Sequence, residues 1–464
     1  MNKIDARVES ESAPKLTGRD KALLNEAVTY IEDRVKMLRD VEPCLIDMSS
    51  REATLSSYFG HTLENKIELY NLAKDLGFND FGLSNFFAFP SVTDSFVEYL
   101  IEQQESLDPF FTTIAVEPLV DGQPFPLGPA ATQTLNFKIP NVILLAEMCP
   151  STLKSIGSDK AKMLADLRHH ILEYRRLLPP HTDRQGRIYI RLGDPFDTYD
   201  EDPEYFVQVI KLLGETDITG ILFEDVKGTR FPFETFALVR LMRHYLPKPR
   251  KLLAHPHLGN GTEDAAVLEC ILAGGDGVWS GFTPQAAQGG HGSALMLLTN
   301  LMRARNPYVR KMFNTEKFQH VAERMWHIHD HCDIPPNTPV VGERAYLYVD
   351  KYFEQTDKPR DLDPALIGRK PGYQVMPSWA PTYVIGKRLE ELGYGDNISK
   401  NTTVLNKMRA AMNSRLITGE QLRFDDPENL KALLEQVLDG LSDDEKQGSA
   451  PDEDSGSALT QRYR

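Results

Sequence analysis

Ala254-His255-Pro256-His257 places two imidazoles two residues apart at the end of an apolar run. On an extended strand such residues point to the same side, so both rings can reach one divalent ion. An isolated pair of this kind more often only makes hydrogen bonds at a strand end. Here it closes the seventh strand of a series, and other strand ends supply Asp47, Arg51 and Glu52, then Glu147, Arg191 and Asp194, then Glu224 and Asp225. Carboxylates with imidazoles hold a metal, and a guanidinium beside them neutralises the negative charge that develops on an enolate or alkoxide oxygen. Alternation in Gly220–Asp225 puts Leu222 and Glu224 on one face and Ile221, Phe223 and Asp225 on the other. The large apolar residues suit a helix-facing side, so Glu224 rather than Asp225 is expected to face the metal. A donor set of Glu52, Glu224, His255 and His257 suits manganese, zinc, iron or cobalt better than magnesium, because imidazoles are soft partners for a hard ion.

Two further stretches draw the eye. Gln288-Gly289-Gly290-His291-Gly292-Ser293 precedes a helix, where backbone N–H groups can hold an anion; a plain flexible turn fits it equally. Trp326-His327-Ile328-His329-Asp330-His331-Cys332 resembles a metal cluster, but on a helix only His327 and His331 share a face. A polar helix end is the better reading.

The elements that must position these groups alternate strand and helix from Pro43 to Arg305. Strands are predicted at 45–48, 80–86, 111–116, 141–147, 187–192, 220–224, 251–257 and 277–279. Helices are predicted between them, including 63–76, 92–104, 159–178, 203–213, 233–245, 263–272 and 293–302. The Pro- and Gly-rich stretch 118–129 is the least regular part. Eight such units in series predict an α/β fold, a closed (β/α)8 TIM barrel, whose active site collects at the C-terminal ends of the strands. No GxGxxG follows any strand, which argues against an open dinucleotide-binding sheet. A helical C-terminal domain, 306–440, is expected next, with Phe318, Val321, Met325 and Ile328 on one helical face. An N-terminal extension occupies 1–42.

Residues 441–464 are rich in Ser, Gly, Asp and Glu and read as a disordered acidic tail that cannot bury enough apolar surface to offset its ordering entropy. Deleting Leu441–Arg464 is expected to leave the melting temperature unchanged; a clear fall on truncation at Asp439 would count against this. The formal net charge of −15 and the lack of a basic block argue against a nucleic-acid groove. No apolar run is long enough for a bilayer, and the first residues lack the apolar core of a signal peptide. The four cysteines are far apart with no CxxC spacing, as in a reducing compartment. A cytoplasmic homo-oligomer is the expectation.

These residues carry a family resemblance. Asp47-Met48-Ser49-Ser50-Arg51-Glu52 resembles the D-x-x-x-R-D signature of the DRE-type TIM-barrel metallolyases, the superfamily of isopropylmalate synthase, homocitrate synthase, HMG-CoA lyase and the carboxyltransferase domain of pyruvate carboxylase. Phe223–Gly228 with Pro232 resembles its segment after strand six. His255-Pro256-His257 resembles its H-x-H, and Ala273–Asp276 the turn that follows. The order is kept from Pro43 to Arg305. There are departures. The aspartate after the arginine is Glu52, an asparagine ligand is replaced by Ser293, and a glutamate at the end of strand two falls at Gly82. Glu224 stands where carboxyltransferases carry a modified lysine, no loop cysteine of the HMG-CoA lyase kind occurs in 281–293, and no biotin-bearing M-K-M is present.

The resemblance implies a metal-dependent lyase or synthase of aldol or Claisen type acting on a 2-oxo acid or related carboxylate, with acyl-CoA as a further candidate substrate. Arg51 would stabilise the enolate oxygen, and Arg191 and Asp194 would complete the catalytic set. A carboxyltransferase subunit served by a separate biotin carrier, and a barrel that serves only for binding or assembly, are the other readings.

Overall fold

The computed structural model describes residues 16–51, 59–179, 186–286, 289–354, 358 and 360–442. Glu52 and Gln288 lie outside the described residues, as do 443–464. The chain divides into two compact units, Met1–Tyr70 with Gly77–Phe313, and Asn71–Leu76 with Asn314–Arg464.

The first unit is a closed barrel. Its strands are β1 Cys44–Asp47, β2 Phe81–Gly82, β3 Phe110–Ala115, β4 Asn141–Ala146, β5 Ile188–Leu192, β6 Gly220–Asp225, β7 Lys251–Pro256 and β8 Gly277–Ser280, joined in sequence order. All neighbours are parallel, and β8 closes on β1 with Cys44 opposite Gly277. Parallel neighbours need a crossover on the outside, and the alternation of strands with helices supplies it. Alternate residues fill the interior: Ile46, Met48, Phe111, Ile143, Tyr189, Leu222, Leu253 and Trp279 form one buried cluster. That cluster fixes the inner face of each strand, so two residues further on the same strands aim polar groups into the mouth.

β2 is shorter than the predicted 80–86, although Leu83 N–H still reaches the Phe111 carbonyl at 2.8 Å. A Cβ at Gly82 would lie 2.2 Å from the Met48 sulfur. The thioether therefore occupies the space that a larger inner residue on β2 would need.

Helix starts follow local chemistry. Asp159 accepts the Lys162 N–H at 2.8 Å ahead of helix Lys160–Leu177. The helix stops ahead of Pro179-Pro180, which cannot continue it. In the irregular stretch Pro129 opens a helix to Asn136, as a proline at the first helical position can. The extension, read only as polar from Met1 to Leu16, contains a helix at Gly18–Asp40 begun by a Thr17–Asp20 capping box. Short helices at Pro150–Ser155, Pro195–Glu201 and Pro307–Met312 were also not predicted.

The second unit has helices Phe318–Asp330, Thr382–Glu391, Thr402–Ile417 and Pro427–Asp439 and a small parallel pair, β9 Leu347–Tyr348 with β10 Gly372–Tyr373. The last three helices enclose a core of Val384, Ile385, Leu389, Met408, Met412, Leu430, Leu433 and Leu434. Leu441 joins this core at 6% exposure. Truncation after Ser442 is therefore expected to leave the melting temperature unchanged, whereas removing Leu441 as well lowers it. No helix among the described residues is long and apolar enough to cross a membrane.

Candidate metal centre

Glu224, His255 and His257 come together at the C-terminal mouth of the barrel. All three are buried, and their ligand atoms lie within 4.8 Å of one another. Glu224 sits on β6 directly opposite His255 on β7. Two residues beyond Leu222, it lies on the inner face, while Asp225 turns away and accepts the Arg230 N–H at 2.9 Å. Beyond β6 the chain passes very close to the end of β7. A Cβ on Gly228, where φ is +60°, would fall 2.1 Å from the His257 carbonyl oxygen, so only glycine suits this position.

The donor set fits a divalent ion. His255 is held by its Nδ1 at the Trp279 backbone carbonyl. Donation from Nδ1 leaves the Nε2 lone pair as the ligand, the usual arrangement for a metal-binding histidine. Burial, then the neighbouring His291 and His257, hold its pKa well below the ordinary value, so the ring is neutral. His257 Nε2 lies 2.9 Å from Glu224 Oε1, a hydrogen bond whose proton a cation would replace. Burial raises the Glu224 carboxyl, but the His257 hydrogen bond and the Arg191 guanidinium outweigh it and keep the group below the usual carboxylate range.

Two arginines border these residues. Arg191, on the inner face of β5, pairs with Glu224 and reaches Glu147 at 3.0 Å. Arg51 is buried, and its guanidinium lies 5.1 Å from the centre of the Trp279 ring. Burial, with Arg191 close by, lowers its pKa to about 10, against the pull of Glu224; it is still a cation at neutral pH. The turn that carries it is gripped from behind by the buried Lys66, whose Nζ donates to the Ser50 carbonyl at 2.9 Å.

Asp194 stands further out. It starts the helix Pro195–Glu201 and shares a hydrogen bond with Glu147, whose carboxyl is raised by burial and by Asp194 against the effect of Arg191. Two carboxyls in contact hold a proton between them more readily than either does alone. Asp47 faces away from the inner row of Ile46 and Met48. It accepts Ser49 Oγ at 2.7 Å, and burial pushes its pKa to about 7 against that hydrogen bond.

Sequence reasoning singled out the loop that carries His291 but not its imidazole, and it passed over Trp279. The last three residues of the glycine-rich stretch have their N–H groups engaged within the chain. The His291 and Gly292 N–H groups bond to Pro284 and Pro256 carbonyls, each at 2.9 Å, and Ser293 N–H bonds to Asp264 at 3.1 Å. His291 is thereby set 5.1 Å, ring to ring, from His255. Its Nε2 accepts the Gly281 N–H at 3.3 Å and its Nδ1 meets Ser280 Oγ at 3.0 Å, so it props the site with both nitrogens engaged. Ser293 caps the next helix by accepting Met296 N–H at 3.2 Å. The His327–Cys332 stretch joins no metal-ligating group among the described residues.

Asp264, which holds the loop through Ser293, has its pKa raised to about 7 by burial, opposed by the Ser293 N–H. A raised folded pKa favours the protonated native form. Its contribution is full below about pH 4 and is lost as pH rises to about 7. Asp264→Asn, which keeps an acceptor without the charge, is expected to flatten the fall in melting temperature between these limits, by the equivalent of a few kcal/mol at most. Parallel pH slopes for variant and parent would refute this.

No family model matches the chain. It is 25% identical to a probable 2-isopropylmalate synthase of Archaeoglobus fulgidus over 255 residues, covering 52% of this chain and 47% of that protein. It is 23% identical to an (R)-citramalate synthase of Aquifex aeolicus over 180 residues, 38% of this chain and 34% of that one. The chain thus spans about half, or less, of the length of these relatives. Among solved structures, HMG-CoA lyase from Pseudomonas aeruginosa aligns with a TM-score of 0.49 at 15% identity, over 63% of this chain and 94% of that one. The HMG-CoA lyase from Brucella melitensis gives 0.46 at 13%, over 61% and 96%. In its ordered motifs, its closed barrel and its two synthase matches, the chain is similar to the DRE-type TIM-barrel metallolyases.

Proposed function

We propose that this protein is a divalent-metal-dependent carbon–carbon bond lyase or synthase acting on a 2-oxo acid or related carboxylate, with acyl-CoA as the candidate second substrate. The observation that carries this is the Glu224–His255–His257 group at the barrel mouth with Arg51 beside it. These three residues, with Glu52 as a fourth ligand, would hold manganese, zinc, iron or cobalt in preference to magnesium. When bound, the ion supplies Lewis acidity toward a substrate carbonyl.

The chain's own groups divide the remaining work. Arg51 stabilises the negative charge that develops on the substrate oxygen, in a buried setting where such an interaction is strong. Arg191 bridges Glu224 and Glu147 and so keeps the ligand carboxylate oriented. Asp194 shares a hydrogen bond with Glu147, whose carboxyl is raised chiefly by burial, and this carboxyl pair takes and returns the proton that moves during bond making or breaking.

The test is turnover of the metal-loaded protein with a panel of 2-oxo acids, with and without acetyl-CoA, following thiol release. Release that needs both substrates and is abolished by chelator supports the synthase direction. Cleavage of a hydroxy-acid product supports the lyase. A protein that binds metal yet turns over none of these, with or without a biotinylated carrier, would sink the proposal.

A further inference from the structure

The helix Gly18–Asp40 has no buried residue, although it starts from a complete capping box. Among its apolar residues, Leu24, Val28, Ile31, Val35 and Leu38 follow one another at alternating steps of four and three, with Leu23, Tyr30 and Met37 alongside the row. That is the spacing of a coiled-coil seam. The C-terminal half of the seam is used within the barrel unit. Val35 and Leu38 are half-buried, the helix packs beside Glu263–Leu272, Ala294–Arg303 and Pro307–Met312, and Asn306 Nδ2 ties its end at the Leu38 and Val41 carbonyls, at 2.9 and 2.7 Å. The N-terminal half continues the same stripe into solvent: Leu24 is 51%, Val28 42% and Ile31 55% exposed. Single exposed apolar residues need no explanation. A seam in register with the half that is already packed does.

We propose that the exposed half of this helix is a docking surface for a second copy of the chain, paired antiparallel. A two-fold axis level with Glu26 sets Leu24 of one copy against Val28 of the second copy, and lays the Lys21 stem over its Ile31. The charges agree with this direction. Asp20 then faces Arg34 of the second copy, and the Lys21 ammonium lies beside its Glu32. Parallel pairing instead sets Lys21 against its own counterpart and Arg34 beside Arg39 of the second copy, two like-charge contacts that disfavour it. The helix surface carries Arg19, Lys21 and Arg34 interspersed with Asp20, Glu26, Glu32 and Asp33. It therefore lacks the basic face that an anionic membrane surface attracts.

The full chain is tested by sedimentation at micromolar concentration. The expected result is a dimer whose mass halves in the double variant Leu24→Asp with Val28→Asp, while the barrel's melting temperature is unchanged, because both positions are exposed. Direction is read by oxidative cross-linking in a Cys332→Ser background. Ala27→Cys meets its own counterpart across an antiparallel axis and is expected to cross-link. Val28→Cys meets its counterpart only in a parallel pair and is expected not to. A monomeric parent chain, an assembly whose mass is unaltered by the double variant, or preferential cross-linking through Val28→Cys overturns the proposal. So does a monomer that co-sediments with phosphatidylserine vesicles.

Discussion

Glu224→Gln is expected to cost the barrel its divalent ion, whereas Asp225→Asn keeps it. Glutamine preserves the volume and the hydrogen-bonding reach of Glu224 but removes the charge that offsets the cation. Glu224 provides the one carboxylate grouped with His255 and His257 among the described residues. Loss of a ligand is felt at least as strongly as loss of the outer partners that orient one, so affinity should fall by about 100-fold or more. Asp225 lies on the opposite face, half-buried, accepting the Arg230 N–H, and its neutral variant leaves the three ligand atoms where they are. The readout is metal content after dialysis, with a manganese or zinc titration of both variants. A melting curve accompanies it, because Glu224→Gln also deprives Arg191 of one of its two carboxylate partners and a half-broken buried pair is destabilising. Should the aspartate variant lose the metal while the glutamine variant keeps it, the assignment of Glu224 as ligand is wrong.

Arg51→Lys is expected to lower turnover by roughly 100- to 1,000-fold, the range seen when a donor to a developing oxyanion is removed, while KM changes little. Lysine keeps a positive charge but presents a point ammonium in place of a planar fork that can hold an oxyanion and a carboxylate together. The site also penalises lysine more than arginine. Burial already pulls the Arg51 guanidinium down to about 10, and an ammonium starts from a lower value. The aromatic face of Trp279, 5.1 Å away, further suits a flat guanidinium. Steady-state kinetics on the metal-loaded variant decide the matter: an unchanged turnover removes Arg51 from the chemistry, and a rise in KM alone would make it a substrate-binding group.

Much of the barrel was legible because its signals are local. Runs such as Asn141–Ala146, buried on nearly every residue, announce parallel strands covered on both faces. The helix opened by Asp159 and stopped before Pro179 declares both of its ends. The weaker places are those where local pattern and tertiary need diverge. β2 is reduced to two residues, where the sequence suggested a longer run. The Gly18–Asp40 helix escaped notice because its apolar residues are interleaved with charged ones, and the seam is visible only when residues are counted in steps of four and three. Leu441 reads as tail, yet the neighbouring helices give it a core to enter.

The sequence by itself determined that two imidazoles share one side of β7 and that Glu224 shares the face of Leu222, since both follow from the two-residue period of a strand. Which strand ends meet is a different question, and only closure of the barrel answered it. The β6–β7 register sets Glu224 beside His255. The same closure brings Arg191 from β5 between Glu224 and Glu147, and it leaves Asp194 further out, bonded to Glu147 rather than to the ligands. His291 could not be read from its glycine-rich surroundings. Its place depends on a backbone bridge to His257 and on a hydrogen bond with Ser280, contacts made where the loop after the eighth strand folds back against the end of the neighbouring seventh. Side-chain direction is a property of local backbone geometry, whereas the partners a side chain meets are set by long-range packing.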